Sequence, residues 1–280
     1  MQNEFEKEEK YKLFRSVKEI LHPTISKKNI SNYKIIIEEN LLPLRVSYPT
    51  KVSNLQDVII YIHGDCNITN SGGKYSEIIS NLSKELDKTI ISIDYQDVEK
   101  DLKKSYERIL ETTRYVYDQL MEAGKTKDNI TFMGDSTGAS ILLNVYTNLE
   151  KEKKEIGKMV LFYPVLSGEY SGKTELKSIK ENTTVDHDLV KKLNSYYNSK
   201  KEKENAMYFH LQITEKIKYP KTLILIGNVD PLIDEAVLLS EKDKKITCKV
   251  ISFANHGFLN TQDKEIIKEY MTELKEFMKK

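Results

Sequence analysis

A serine lies between two glycines in the stretch GDSTG, residues 134–138, where an apolar run typical of a strand meets one typical of a helix. The pattern Gly-x-Ser-x-Gly at such a junction predicts a sharp, strained turn that exposes the serine hydroxyl at a helix N-terminus. The N–H groups at that terminus favour negative charge, so Ser136 is a candidate nucleophile. A plain turn in which Ser136 only caps the helix would use the same small residues, so the motif must be judged together with its possible partners.

A nucleophilic serine needs a general base and a group that orients this base. Asp230 follows the apolar run KTLILIG, and His256 follows the run TCKVISF. The order serine, acid, histidine is the one expected for this kind of turn. Because the carboxyl ends of parallel strands meet at one edge of a sheet, we expect the three side chains to converge. Asp234 competes with Asp230 for the role of the acid, but we expect Asp234 to cap the helix that begins near it.

Short apolar runs rich in β-branched residues alternate with helical patterns along the chain. This alternation predicts an α/β fold with a mostly parallel central sheet and helices on both faces. The clearest helix carries an apolar stripe from Leu102 to Leu120 and is expected to end at Gly124 in a left-handed cap. Strands are predicted at 57–64, 89–95, 129–133, 158–164, 221–227 and 247–253, after an antiparallel pair at 32–39 and 42–49.

Two segments interrupt the alternation of strands and helices. Residues 1–30 are helical and amphipathic, and residues 167–217 insert polar and helical sequence after the end of a strand. An insertion at that place would lie over the sheet edge at which open α/β folds bind ligands. The segment 167–217 is therefore predicted to be a lid.

The composition excludes several other classes of protein. The 280 residues include 44 Lys+Arg and 43 Asp+Glu, so a net charge of +1 offers no basic field for nucleic acid. No apolar run approaches the roughly 20 residues that span a bilayer, and the charged start MQNEFEKEEKYK lacks the apolar core of a signal peptide. Cys66 and Cys248 are far apart and in no metal-ligand spacing. A cytoplasmic protein without a metal or other cofactor is predicted.

From about residue 34 onward the chain resembles the α/β-hydrolase fold, and within it the hormone-sensitive-lipase-like carboxylesterases. The segments LRVSYP, IISIDY, GDSTGA, LFYPVL, DPLIDE and HGF match the signatures of that family in order. The resemblance implies Ser136 as nucleophile, His256 as general base and Asp230 as its partner. It also implies an oxyanion hole formed by the backbone N–H groups of Gly64, Asp65 and Thr137, and a core at 31–166 and 218–280 under a small helical cap made of 1–30 and 167–217.

The chain departs from the family pattern at two places. The family usually has His-Gly-Gly-Gly where this chain has HGDCN, and the carboxylate of Asp65 would oppose an oxyanion unless it points away. The stretch IDYQDVEKD lacks the Arg and Pro that the family usually carries after Asp-Tyr. His63 in such motifs normally braces the loop, so we assign it no catalytic role.

These observations favour a serine carboxylesterase that hydrolyses short-chain acyl esters through an acyl-enzyme, acting on a small-molecule ester as a monomer or homodimer. An amidase or formamidase with the same triad is the alternative, because only the leaving group differs. A non-catalytic receptor on a hydrolase fold typically loses a triad member, and all three members are present here. A peptidase of the prolyl-oligopeptidase kind is disfavoured, since no propeller-sized domain precedes the sheet.

Overall fold

The computed structural model describes residues 31–35, 41–49, 56–64, 72–95, 102–166 and 216–279. The chain divides into two compact units, one of Met1–Ile60 and Gly72–Thr126 and the other of Tyr61–Ser71 and Lys127–Lys280. The predicted cap segment 1–30 lies outside the described residues, as does all of 167–217 except its last two residues. The division into cap and core therefore stays a prediction.

Among its described residues, the first unit contains the amino-terminal strands and two helices. Its strand order is β1-β2-β4-β3, and β1 and β4 both pair antiparallel with β2, so the predicted leading antiparallel pair is confirmed. The elements are β1 Ser31–Ile35, β2 Leu44–Ser47, β3 Val58–Ile62, of which the first three residues belong here, α1 Gly72–Leu86, β4 Thr89–Ile93 and α2 Leu102–Glu122.

Burial in this unit follows the sequence pattern. Every residue of β3 and β4 is buried, as expected for near-continuous runs of β-branched residues in the interior of a sheet. Helix α2 buries Tyr106, Ile109, Val116 and Leu120, which form one stripe at helical spacing. The helix ends as predicted, because Gly124 adopts a φ of +84° that few residues with a Cβ atom tolerate.

The second unit contains the end of β3 and all later elements. Its strand order is β3-β5-β6-β7-β8, and β5, β6, β7 and β8 pair in parallel, so the predicted α/β fold with a mostly parallel sheet is confirmed. The elements are β5 Ile130–Asp135, α3 Ser136–Lys151, β6 Lys158–Phe162, β7 Lys221–Gly227, α4 Ile233–Glu241, β8 Ile246–Ile251 and α5 Lys264–Lys279.

The parallel register sets the ends of these strands side by side. Asp135 pairs with Phe162, Phe162 pairs with Leu225, and Gly227 pairs with Ile251. The residues that follow β5, β6, β7 and β8 therefore emerge at one edge of the sheet, which is where open α/β sheets bind their ligands. Ser136, Asp230 and His256 lie on three of these four connections.

Two helices begin within one residue of the positions that the sequence predicts, about Thr137 and about Asp234. Helix α3 begins at Ser136, because the strand passes into the helix without a connecting loop. Helix α4 begins at Ile233. Strand β8 lies at the end of the strand order and exposes Val250, as expected of an edge strand. Among the described residues, no helix is long and apolar enough to cross a membrane.

Candidate active site

The turn that carries Ser136 has the strained geometry that its glycines predict. Ser136 adopts a φ of +50°, in the left-handed region that a residue with a side chain rarely occupies. A Cβ atom at Gly134 would lie 2.9 Å from the carbonyl oxygen of Ile62, and one at Gly138 would lie 2.2 Å from that of His63. Both glycines are therefore required because the turn presses against the end of β3.

The side chains of Ser136, His256 and Asp230 form one hydrogen-bonded row. Ser136 Oγ lies 2.9 Å from Nε2 of His256, and Nδ1 of the same imidazole lies 2.9 Å from Asp230 Oδ2. A carboxylate can only accept, so Nδ1 carries the hydrogen and Nε2 is left to accept from the serine hydroxyl. The imidazole is thus held in the tautomer that a general base needs.

Hydrogen bonds to both carboxylate oxygens hold the Asp230 side chain in place. Its side chain is fully buried, and its second oxygen, Oδ1, accepts a hydrogen bond of 2.9 Å from the N–H of Leu232. Leu232 is the N-cap residue of α4, so one carboxylate oxygen of Asp230 is held at the start of that helix while the other, Oδ2, faces His256. The orientation of the Asp230 carboxylate is therefore set by contacts within the protein and does not depend on a substrate.

Asp234 does not cap helix α4, contrary to the sequence-based prediction. The residue at the N-cap position is Leu232, and its side chain makes no capping hydrogen bond. Because the helix begins at Ile233, Asp234 already lies within its first turn, where its charge interacts favourably with the helix dipole. The N–H of Ile233 instead donates to the carbonyl oxygen of Asp230 at 3.2 Å.

Backbone hydrogen bonds join the connection after β7, which carries Asp230, to the connection after β8, which carries His256. The N–H of Val229 donates to the carbonyl oxygen of Ala254 at 3.2 Å, and that of Asn228 donates to Ile251 at 3.0 Å. A Cβ atom at Gly227 would lie only 1.9 Å from the carbonyl oxygen of Ala254. Sequence reasoning missed this role of Gly227, although a glycine at the end of an apolar strand was the available signal.

Of the three backbone N–H groups predicted to form the oxyanion hole, that of Gly64 has a partner within the protein. The N–H of Gly64 donates to Asp135 Oδ1 at 2.9 Å, so this donor is engaged within the protein rather than directed at a substrate. Thr137 is buried in the first turn of α3, where the geometry of a helix provides no intrahelical acceptor for its N–H. Asp65, the third predicted donor, lies outside the described residues.

A buried carboxylate in the serine turn was not predicted as a site residue. Asp135 is buried, and its Oδ1 also accepts a hydrogen bond of 2.7 Å from the hydroxyl of Tyr61. Together with the bond from Gly64 this fastens the end of β3 to the serine turn. The signal in the sequence was an acidic residue within a run of otherwise apolar and small residues. His63 is buried and its Nδ1 donates to the carbonyl oxygen of Gly64 at 2.7 Å, which fits a bracing role.

A family model described as the alpha/beta hydrolase fold matches residues 59–260. This chain belongs to the α/β-hydrolase family. It is similar to an esterase of Fusarium pseudograminearum (strain CS3096), with 24% identity over 214 residues that cover 70% of this chain and 62% of that protein. It thus spans less than two thirds of that relative's length. It is also similar to an arylesterase of Saccharolobus solfataricus, with 22% identity over 263 residues that cover 91% of this chain and 84% of that protein.

Solved structures bear out the fold of this α/β hydrolase. A thermostable esterase from Pseudomonas putida ECU1011 superposes with a TM-score of 0.75 over 93% of this chain and 88% of that one. The two sequences are 16% identical. The predicted α/β-hydrolase fold is confirmed.

Three carboxylates surround the histidine of this α/β hydrolase. Burial by itself lowers the pKa of His256, but the charge and hydrogen bond of Asp230 and the charges of Asp135 and Glu235 act in the opposite direction. The balance raises the pKa of His256 above its ordinary value. A more basic imidazole accepts a proton from serine more readily, which is the property a general base needs. Among the described residues there is no cluster of His, Cys, Asp and Glu that could hold a metal ion.

Proposed function

We propose that this chain is a serine carboxylesterase that hydrolyses short-chain acyl esters by way of an acyl-enzyme. The observation that carries the proposal is the row of hydrogen bonds from Ser136 through His256 to Asp230, with 2.9 Å at each step. A strained turn presents the serine, and the imidazole is oriented on its far side by a fully buried carboxylate. Acyl transfer is the chemistry that this combination supports.

In the first half of the reaction, Ser136 Oγ attacks the ester carbonyl carbon while Nε2 of His256 takes the hydroxyl proton. The carbonyl oxygen becomes negative in the tetrahedral intermediate. The intermediate then collapses, the bond to the alcohol oxygen breaks, and His256 returns its proton to the departing alcohol. The acyl group remains on Ser136.

In the second half, a water molecule attacks the acyl carbon and gives its proton to His256. The bond to Ser136 Oγ breaks, the serine recovers the proton, and the carboxylic acid leaves. Asp230 keeps the Nδ1 proton in place throughout and stabilises the imidazolium that forms twice per cycle. No metal or other cofactor takes part in these steps.

The proposed oxyanion hole uses the backbone N–H groups of Thr137 and Asp65. Thr137 follows the nucleophile at the beginning of α3, so its N–H and the helix dipole both favour the developing negative charge. Asp65 follows Gly64 in the chain, and a Cβ atom at Gly64 would lie 3.0 Å from Cβ of Ser136. The backbone therefore approaches the nucleophile closely at the residue before Asp65. The N–H of Gly64 has no part in this oxyanion hole, because it donates to Asp135 Oδ1.

A panel of p-nitrophenyl esters from acetyl to decanoyl, with matched p-nitroanilides, tests the proposed substrate class. We expect the highest kcat/KM for the shortest acyl groups, a decline of at least about tenfold by decanoyl, and slower hydrolysis of every anilide than of its ester. The relatives named esterase and arylesterase support the expected preference for esters over anilides. Faster hydrolysis of the anilides would make the protein an amidase. No turnover of any substrate, and no labelling of Ser136 by a fluorophosphonate, would make it a non-catalytic member of the family.

The pH profile of ester hydrolysis tests the role of His256. Only the neutral imidazole can act as a base, so kcat/KM falls as pH drops through the pKa of His256. Because the surrounding carboxylates raise this pKa, we expect the midpoint to lie above the ordinary histidine value of about 6.5. Glu235→Gln should move the midpoint to lower pH, since it removes one of the negative charges. Glu241→Gln at the exposed end of the same helix is the matched control and should leave the profile unchanged.

An unchanged midpoint in Glu235→Gln would contradict the effect of the Glu235 charge on the pKa of His256. A profile that is flat across the histidine range when chemistry limits the rate would contradict the role of His256 as the general base.

We also propose that the enzyme acts in the cytoplasm, as a monomer or a homodimer. Burial raises the pKa of the Cys248 thiol to about 11, so this cysteine is a poor candidate for disulfide exchange.

A further inference from the structure

An aromatic ring lies against the candidate general base. Tyr163 is the first residue after β6 and is 1% exposed. Its ring centroid lies 4.8 Å from that of the His256 imidazole, with an angle of 60° between the planes. It also lies 4.9 Å from the ring of Phe258, at 78°. One ring therefore contacts the side chains on both sides of Gly257.

The backbone of Tyr163 is strained. Its φ is +36°, in the left-handed region that favours glycine. Such strain costs of order 1–3 kcal/mol and persists only where the surroundings enforce it. A glycine or asparagine would adopt this φ at lower cost, so the contacts of the tyrosine ring offset the strain at this position.

The backbone next to His256 does little to hold the imidazole in place, so a side chain packed on the ring matters there. Gly257 adopts a φ of +80°, and a Cβ atom there would meet no atom within 4 Å. The backbone therefore has open space on one side directly after the histidine. Hydrogen bonds at Nδ1 and Nε2 hold the two ends of the imidazole, but they lie close to its plane and resist tilting of the ring less well. A second ring packed against the imidazole resists that tilt.

The segment that carries Tyr163 is bound to the other two parts of the site. The N–H of Val165 donates to the carbonyl oxygen of Ser136 at 3.3 Å, and the hydroxyl of Ser140 donates to the carbonyl oxygen of Val165. The N–H of Leu166 donates to Glu235 Oε2 at 2.7 Å, in the helix that follows Asp230. Tyr163 thus projects from a segment that is fastened both to the serine turn and to the helix beside the acid.

We propose that Tyr163 is a positioning residue, whose ring holds the His256 imidazole in the orientation that reaches both Ser136 Oγ and Asp230 Oδ2. This proposal rests on the proposed function, because a positioned base matters only if His256 acts as one. Misplacement of a reacting group by about 1 Å can cost on the order of 100-fold in rate. The effect should appear in kcat, since a tilted imidazole disturbs proton transfer more than the binding of the ester.

Two variants separate the effect of the ring from that of the hydroxyl group: Tyr163→Leu removes both, and Tyr163→Phe removes only the hydroxyl. We expect Tyr163→Leu to lower kcat by about 10- to 100-fold with KM within about threefold, and Tyr163→Phe to keep kcat within about threefold because the ring remains. Tyr270→Leu is the matched control. Tyr270 is buried and packs on Phe258 at 5.4 Å in the same aromatic cluster, so its loss should lower stability without a comparable loss of kcat. Equal losses of kcat in Tyr163→Leu and Tyr270→Leu, or in Tyr163→Leu and Tyr163→Phe, would overturn the proposal.

A spectroscopic measurement keeps this proposal separate from the proposed function. The proton between His256 Nδ1 and Asp230 gives a downfield NMR resonance that requires no turnover. We expect this resonance to be retained in Tyr163→Phe and broadened or lost in Tyr163→Leu. Should the wild-type protein hydrolyse no ester, the proposed function fails while the resonance still tests the positioning. Should Tyr163→Leu not fold, Tyr163→Met, which keeps much of the bulk without a ring, takes its place. An unaltered resonance in a folded variant without the ring would contradict the proposal.

Discussion

Replacing Ser136 with alanine is expected to leave a folded protein whose kcat for ester hydrolysis has fallen by about 10⁶-fold, as losses of the serine do in comparable triads. The expected cause is the loss of the only atom that forms the acyl bond. The fold should survive because the side chain of Ser136 contributes one hydrogen bond, to His256. Alanine is also strained at a φ of +50°, so the backbone cost is similar in both proteins.

The measurement is kcat with the best ester of the panel, together with the mass of the protein after fluorophosphonate treatment. The wild type should gain one adduct on Ser136 and the variant none. Ser240→Ala is the control, since that hydroxyl donates a solvent-exposed hydrogen bond to the carbonyl oxygen of Val237 within its own helix, and it should behave as wild type. Activity of Ser136→Ala within tenfold of the wild type would mean that another group is the nucleophile.

Replacing Asp230 with asparagine is expected to lower kcat by roughly 10⁴-fold, because an amide N–H facing the imidazole favours the wrong tautomer. Asparagine is nearly isosteric, and its carbonyl oxygen can still accept the hydrogen bond that Leu232 donates to Oδ1. Orienting that oxygen toward Leu232 turns the amide N–H toward Nδ1 of His256. The loss should therefore appear in the chemical step while the fold is preserved.

Asp234→Asn is the matched control for the acid. Asp234 lies four residues away in the first turn of α4, so its replacement removes one favourable interaction with the helix dipole. This should cost about 1 kcal/mol or less of stability and change kcat by no more than a few-fold. If the two variants lose activity in the reverse order, the acid is Asp234 and the geometry seen at Asp230 is not the catalytic one.

The sequence allowed the three members of the row to be predicted because each follows the end of an apolar strand. A strand end is a strong signal, and parallel register brings such ends together without further information. The φ of Ser136 was predictable for the same reason, since two glycines flank it at a strand–helix junction. These features depend on local pattern and on the rules of sheet topology.

The features that were missed depend on contacts between residues far apart in the chain. The direction of the Asp135 carboxylate is decided by Tyr61 and Gly64, more than 70 positions earlier, and it removes the Gly64 N–H from the predicted oxyanion hole. The ring of Tyr163 meets His256 across more than 90 residues. The cap of α4 was wrongly assigned to Asp234 because aspartate is as good a capping residue by type as any in that segment.

The position of β8 has a consequence for how this hydrolase responds to heat. In the described part of the chain, β8 is the last strand of the sheet and has β7 as its neighbour on one side, whereas β5, which leads into Ser136, lies in the interior. Edge elements open locally at a lower free energy than interior ones. His256 follows the edge strand and Ser136 follows an interior one, so we expect warming to separate the base from the nucleophile before it melts the core. Inactivation should precede global unfolding, and it should be reversible as long as the temperature opens only this edge.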